Sequence, residues 1–227
     1  MAALRRFGHI LAIALVTAGI VVLTDVALTL AYKEPVSSIY GEIKQGEAAD
    51  QLTRLEANYP TPADRKAVRK VRSPRLRVSI LARRFGRQVG TGDAIGRIIA
   101  PGMDGLNAVV VQGTDTASLQ KGPGHYPETP FPGEGGTVGI AGHRTTYLAP
   151  FRHIDSVQRG DPITLEMPYA TFAYRVQKTE IVDPSDVGIV DPVGYERLVL
   201  SACHPLYSAS QRFIVFARLA RTGPPKN

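Results

Sequence analysis

The chain has 227 residues, 44% of them hydrophobic, with 27 Lys or Arg against 20 Asp or Glu and a formal net charge of +7. This hydrophobic content excludes an intrinsically disordered chain and leaves room for one domain of moderate size plus appendages. A single cysteine, Cys203, excludes an internal disulfide and any zinc site built from several thiolates. The positive charge suits nucleic acid, anionic lipid or an anionic wall polymer equally, so its position along the chain has to decide.

Taken in order, the chain begins with Arg5 and Arg6 and then runs apolar from Gly8 to Ala31, with Asp25 as the one Asp, Glu, Lys or Arg in that run. Such a run matches the ~20 residues that cross a bilayer. It exceeds the ~7–15-residue core of a cleaved signal peptide, and no small-x-small site closes it. The expectation is an uncleaved signal anchor, with a cleaved signal as the alternative. Asp25 lies near the outer end, where a carboxylate reaches the interface. Arg5 and Arg6 keep the amino terminus inside.

Residues 40–59 carry a helical pattern: Ile43, Leu52, Leu55 and Tyr59 between acidic residues, ended by Pro60 and Pro62. This reads as a stalk. Arg65 to Arg87 then holds ten Lys or Arg and no acid. Two readings stand: a solvated, flexible basic linker, or a segment attracted to anionic lipid heads or wall polymers. Nucleic acid is disfavoured, because no recognition helix or aromatic RNA-binding motif accompanies the charge.

From Asp93 the texture becomes short apolar runs between Gly and Pro turns. Ala94–Ile99, Leu106–Gln112, Thr137–Ala141, Pro162–Met167, Phe172–Ile181, Leu198–Ala202 and Phe213–Leu219 are strand candidates. Thr116–Lys121 and Pro150–Val157 suit short helices. Many short strands predict an all-β closed barrel or sandwich. The chain thus divides into a cytoplasmic N-terminus (1–7), a transmembrane signal anchor (8–31), a stalk and basic linker (32–92), a catalytic domain (93–221) and a tail (222–227).

Cys203 is the candidate nucleophile. Strand alternation puts Leu198, Leu200 and Ala202 on one face and Val199, Ser201 and Cys203 on the other. On the last run, Arg212 falls on the face opposite the apolar Phe213, Val215 and Ala217. A thiol attacks as its thiolate and needs a base or a nearby cation. His204 is adjacent in sequence and so points to the opposite face. His143, ending Thr137–His143, is the preferred acid/base, with Gly139 and Ala141 predicted to leave an open floor beside it. Arg212 suits an oxyanion and a peptide carbonyl, because guanidinium is planar and always charged. Arg218 lies further along the same face, so spacing alone does not choose between them. An inert core cysteine and an incidental surface histidine are the bland alternatives.

His143-Arg144-Thr145-Thr146-Tyr147 with Pro150-Phe151, and Leu200-Ser201-Ala202-Cys203-His204-Pro205 with Ser208, Gln211 and Arg212, resemble the sortases. The first of these stretches resembles the class E housekeeping type in particular, and Gly122–Pro127 and Arg159-Gly160-Asp161 also match its pattern. The resemblance covers about Asp93–Arg221 plus the anchor. It implies an eight-stranded β-barrel with short helices, and a membrane-anchored, extracytoplasmic cysteine transpeptidase that needs no cofactor or metal. Its implied partners are surface proteins bearing a Leu-x-x-Thr-Gly-like sorting signal and the amine of a peptidoglycan precursor. The implied roles are Cys203 as nucleophile, His143 as acid/base and Arg212 as oxyanion helper, with Tyr147, Ser201 and Ala202 at the substrate. Ala202 departs from the family's usual threonine before the cysteine. A thiol hydrolase on the same fold, and a non-catalytic anchored wall-binding module, are the rival functions.

Overall fold

The structure is a computed structural model that describes residues 2–31 and 35–226. Eight strands close a barrel in the order β1-β2-β3-β4-β7-β8-β6-β5. They are β1 (Ala94–Ala100), β2 (Leu106–Gln112), β3 (Gly124–His125), β4 (Thr137–Ala141), β5 (Pro162–Met167), β6 (Ala170–Val182), β7 (Arg197–His204) and β8 (Gln211–Gly223). Period-2 alternation sends Ile98, Ile163, Leu165, Phe172, Tyr174, Leu198, Leu200 and Val215 into one interior core. A smaller cluster of Val199, Ile214 and Phe216, joined by Val182 and Ile189, packs on the outer face of β7 and β8.

The helices are α1 (Ala2–Ala31), α2 (Pro35–Asn58), α3 (Pro62–Val68), α4 (Pro74–Gly86) and the one-turn α5 (Thr116–Leu119). Within α1, Arg5–Ala27 is long and apolar enough to cross a membrane, with a mean hydropathy of 2.4 and no burial against the rest of the chain. Helix α2 covers the outer face of β1 and β2, burying Ala48 and Leu52 against Ala94, Val109 and Val111. Two side-chain amides pin it there. Gln45 accepts from the Val109 N–H and donates to the Val109 and Lys121 carbonyls. Gln51 accepts from the Ala94 N–H and donates to Asp93.

The basic segment 65–87 is not a flexible linker. Thr61 and Asp64 form a reciprocal capping box that starts α3, and Ser73 caps α4. Leu81, Ala82 and Phe85 then face the barrel and are buried, Phe85 completely. The Phe85 ring meets Tyr59, Tyr169 and Phe131 at centroid distances of 5.1, 5.5 and 5.6 Å. The run's charge density hides this anchor, since the apolar residues that decide it are few.

Three smaller readings are also corrected. Gly124–His125, absent from the strand candidates, is a buried strand pairing with β2 and β4. The helix expected over Pro150–Val157 reduces to a 3-10 turn at Ile154–Ser156. Thr222 and Gly223 are not tail but pair with Phe172 and Thr171 of β6.

Candidate active site

Cys203 is the penultimate residue of β7, and Arg212 of β8 is its direct partner across the antiparallel ladder. Both therefore lie on the same, outer face. Cys203 is half-buried and borders an open cavity of about 310 Å³, with Arg144, Thr145, Thr146, Pro205, Tyr207, Ser208 and Ala209 as the other walls. Arg212 Nη1 donates to the Ala209 and Gln211 carbonyls, each at 3.0 Å, which holds the guanidinium against the β7–β8 connection. Arg218 pairs instead with Arg197, at the opposite end of the ladder, and stacks on Tyr195 at 4.4 Å. The register thus separates two arginines that spacing alone leaves equivalent.

His143 follows β4, which runs parallel to β7 with Ala141 beside Ser201. The Gly142 N–H continues the ladder to the Ser201 carbonyl at 3.0 Å, so His143 leaves the sheet at the level of Cys203. Its backbone is held by Phe151, whose N–H donates to the His143 carbonyl at 2.9 Å. Burial lowers the imidazole's pKa below the ordinary histidine value. Its Nε2 is buried with no hydrogen-bond partner among the described residues.

Tyr147 opens the turn that follows, its ring 5.3 Å from that of His143. Tyr147, Leu148 and Ala149 all have positive φ (48°, 65° and 44°), a conformation costly for residues with a Cβ. Helix α2 clamps the turn: the Tyr147 N–H donates to Ser37 Oγ at 3.0 Å, and Gly41 sits so close that a Cβ there would lie 3.0 Å from Leu148. Tyr147 faces a second cavity of about 300 Å³, between α2, β2 and this turn. Cys203 is among the walls of the first cavity and Tyr147 among those of the second.

The expected open floor at Gly139 is closed. The Tyr126 ring lies over it, and a Cβ on Gly139 would come within 2.5 Å of Tyr126 Cδ2. The Tyr126 hydroxyl is 2.7 Å from Ser201 Oγ, and Ser201 is only 3% exposed. Ala202 faces the barrel interior and is likewise 3% exposed. The walls of the thiol-side cavity include neither Ser201 nor Ala202, and neither His143 nor Arg212.

Arg144, unassigned in the motif reading, proves central. Its guanidinium is buried, donates to Asp155 at 2.6 Å and to the Arg152 carbonyl, and reaches the Cys203 carbonyl at 3.4 Å and His204 Nδ1 at 3.3 Å. The available signal was its place directly after His143. His125 is a structural histidine: buried, stacked on Phe131 at 4.6 Å, and bonded to Gln112 and Pro130.

The sortase domain family matches residues 98–220, more than half of the chain, which takes in β2 to β7 whole, β1 from Ile98 onward and β8 as far as Ala220. The chain belongs to the sortase family. Sortase D of Bacillus subtilis is 34% identical over 132 residues, covering 56% of this chain and 65% of that protein. Sortase SrtE1 of Streptomyces coelicolor is 33% identical over 115 residues, covering 44% of this chain and 33% of its own. The match thus spans just under two thirds of one of these relatives and a third of the other. Among solved structures, sortase E from Streptomyces avermitilis superposes with a TM-score of 0.54 at 35% identity, covering 60% of this chain and 93% of that one. Sortases named D and E both resemble this sortase, so the family stands while the class E likeness is not singled out.

Proposed function

We propose that this sortase is a membrane-anchored cysteine transpeptidase that cleaves a Leu-x-x-Thr-Gly-like signal after threonine and passes the acyl group to a cell-wall amine. The observation that carries the reading is the register pair Cys203 and Arg212, with His143 leaving the neighbouring parallel strand at the same level.

In this reading the Cys203 thiolate attacks the threonine carbonyl carbon, and the carbonyl electron pair moves onto oxygen. Arg212 donates to that oxyanion, and its fixed charge favours the tetrahedral state over the planar ground state. The C–N bond to glycine breaks as imidazolium His143 gives its proton to the leaving amine. A thioester and a neutral imidazole remain. An incoming amine then attacks the thioester, His143 takes its proton, and the thiolate leaves. The partnerless Nε2 of His143 fits this exchange, since a buried polar atom lacking a partner costs ~1–3 kcal/mol until an amine supplies one. The apolar helix Arg5–Ala27 supports anchoring, with Arg5 and Arg6 on the inner side.

The test is mass spectrometry of the full chain in detergent with Leu-Pro-x-Thr-Gly and Leu-Ala-x-Thr-Gly peptides, with and without a glycine-type amine. An adduct on Cys203 that is released as amide when amine is present supports transpeptidation. Release as free acid at the same rate with amine present would make the protein a hydrolase. Absence of any adduct would leave the wall-binding module.

A further inference from the structure

The longest uncompensated run of charge in the chain lies outside the catalytic site. Lys66, Arg69, Lys70 and Arg72, on α3 and the turn into α4, are all exposed, and none has a side-chain acceptor among the described residues. Arg75, Arg77 and Arg87 extend the same exposed surface. The acids nearby are already engaged. Asp64 is fully buried and paired with Arg84, Glu134 pairs with Arg83 at 3.5 Å, and Glu196 is taken up by the Tyr174 hydroxyl and the Gly133 N–H. The helices are held by Phe85 and Leu81 in the barrel core, so these cations form a fixed surface rather than a mobile tail.

Its position is as informative as its charge. Helix α4 docks beside Gly133, which is bonded to Glu196 immediately before β7 begins at Arg197. Cys203 lies six residues further along β7, about 20 Å away at ~3.3 Å per residue. Helix α2 runs the same course in reverse. Ser37 and Gly41, near its start, touch the turn beside His143, and Tyr59, just past its end, packs on Phe85 and donates to the Leu81 carbonyl. Pinned by Gln45 and Gln51 in between, α2 delivers the chain from its apolar N-terminal helix to the catalytic end first. The cationic surface lies at the other end of the barrel.

We propose that Lys66, Arg69, Lys70, Arg72 and their neighbours on α4 form a docking surface for a linear polyanion on the wall side, a polymer with repeating phosphate or carboxylate groups. The orientation rests on the proposed anchoring through α1. A bilayer at the α1 end faces the thiol, and the cations face the opposite way, toward the wall. Spaced anionic groups match spaced cations, and such an attraction weakens with salt because the Debye length at ~0.1 M is ~10 Å.

The experiment uses the full chain in lipid nanodiscs, one set neutral and one rich in phosphatidylglycerol, with long-chain inorganic polyphosphate as the probe. The expected result is salt-sensitive binding of equal strength in both sets, weakened about tenfold or more in a variant combining Lys66→Gln, Arg69→Gln, Lys70→Gln and Arg72→Gln. Circular dichroism checks that this variant is folded, and its peptide cleavage is expected to be unchanged. Unaltered binding in the variant would overturn the proposal. Binding suppressed only in the phosphatidylglycerol discs would overturn it too, because the cations would then be lying on the lipid. A chain that fails to enter discs removes the anchoring and the orientation with it, while detergent-solubilised protein still reports whether these cations hold the polymer.

Discussion

Arg144 and Cys203 stand 59 residues apart in the chain, yet the buried guanidinium of the first reaches the backbone carbonyl of the second at 3.4 Å. The same guanidinium holds Asp155 and the Arg152 carbonyl, so one side chain ties the turn after His143 to the end of β7. We expect Arg144→Ala to leave buried carbonyls unpaired and destabilise the fold by about 2–3 kcal/mol. Arg144→Lys should recover little, since an ammonium lacks the planar fork. Thermal melts of both variants check this, and melting points equal to the parent would contradict it.

Cys203→Ala is expected to abolish adduct formation while changing stability by less than about 1 kcal/mol, because the thiol is half-buried at a cavity rim. Arg212→Ala should keep the thiol reactive to a small alkylating reagent but lower kcat/KM for peptide by about 10²–10³. An Arg212→Ala enzyme with parental kcat/KM would remove the arginine from the mechanism.

The pH dependence has a definite sign. Burial favours neutral His143, so its folded pKa lies below the ordinary 6.5. On the proposed role of His143 as acid/base, acid inactivates the enzyme by protonating the imidazole beyond the form that the mechanism uses. The acid limb of kcat/KM against pH is therefore expected below 6.5. An acid limb at or above 6.5 would show that some other group, or a charged environment, governs this step.

His125 predicts a stability effect independent of catalysis. Desolvation lowers its pKa from 6.5 to about 4. Between those values the unfolded chain binds a proton that the folded chain refuses, so stability is full above 6.5 and falls as pH drops toward 4. The loss is about 3 kcal/mol at ~1.4 kcal/mol per pKa unit. Denaturant titrations across this window should show the slope in the parent and lose much of it in His125→Gln, whatever that variant's absolute stability.

Phe85→Ala tests whether the basic segment is part of the folded unit. Deleting a fully buried aromatic should cost about 3–5 kcal/mol, whereas truncation within a detached linker costs almost nothing.

Where short apolar runs lie between turn residues, the sequence is a reliable guide to the strands: β2, β4 and β5 fall on the runs so bounded, and alternation along β7 and β8 presents Cys203 and Arg212 on the side opposite the core. Those positions follow from period 2 alone. Readings failed where a distant ring or backbone decides the outcome. Nothing local at Gly139 announces that Tyr126 will cover it, and nothing in Gly124-His125 announces a strand whose pairing lies wholly in β2 and β4. Ten cations hid Phe85, because a helix docked by three apolar residues leaves little periodic signal. Nothing local gives Arg144 its role either, because its partners, Asp155 and the Cys203 carbonyl, come together through the parallel pairing of β4 with β7.

The amide contacts of Gln45 and Gln51 govern more than the lie of one helix. With α2 fastened along the barrel, the first contact with the barrel unit, at Ser37, comes only ten positions after Ala27, where the apolar span ends, rather than at the first strand. Given the proposed anchoring, so early an attachment would confine the thiol to a thin layer and raise the effective concentration of any reactant held in that layer toward the millimolar range typical of short linkers. An enzyme so placed has little need of tight ground-state affinity, and weak binding of free peptide in solution would be the natural companion of fast turnover in place.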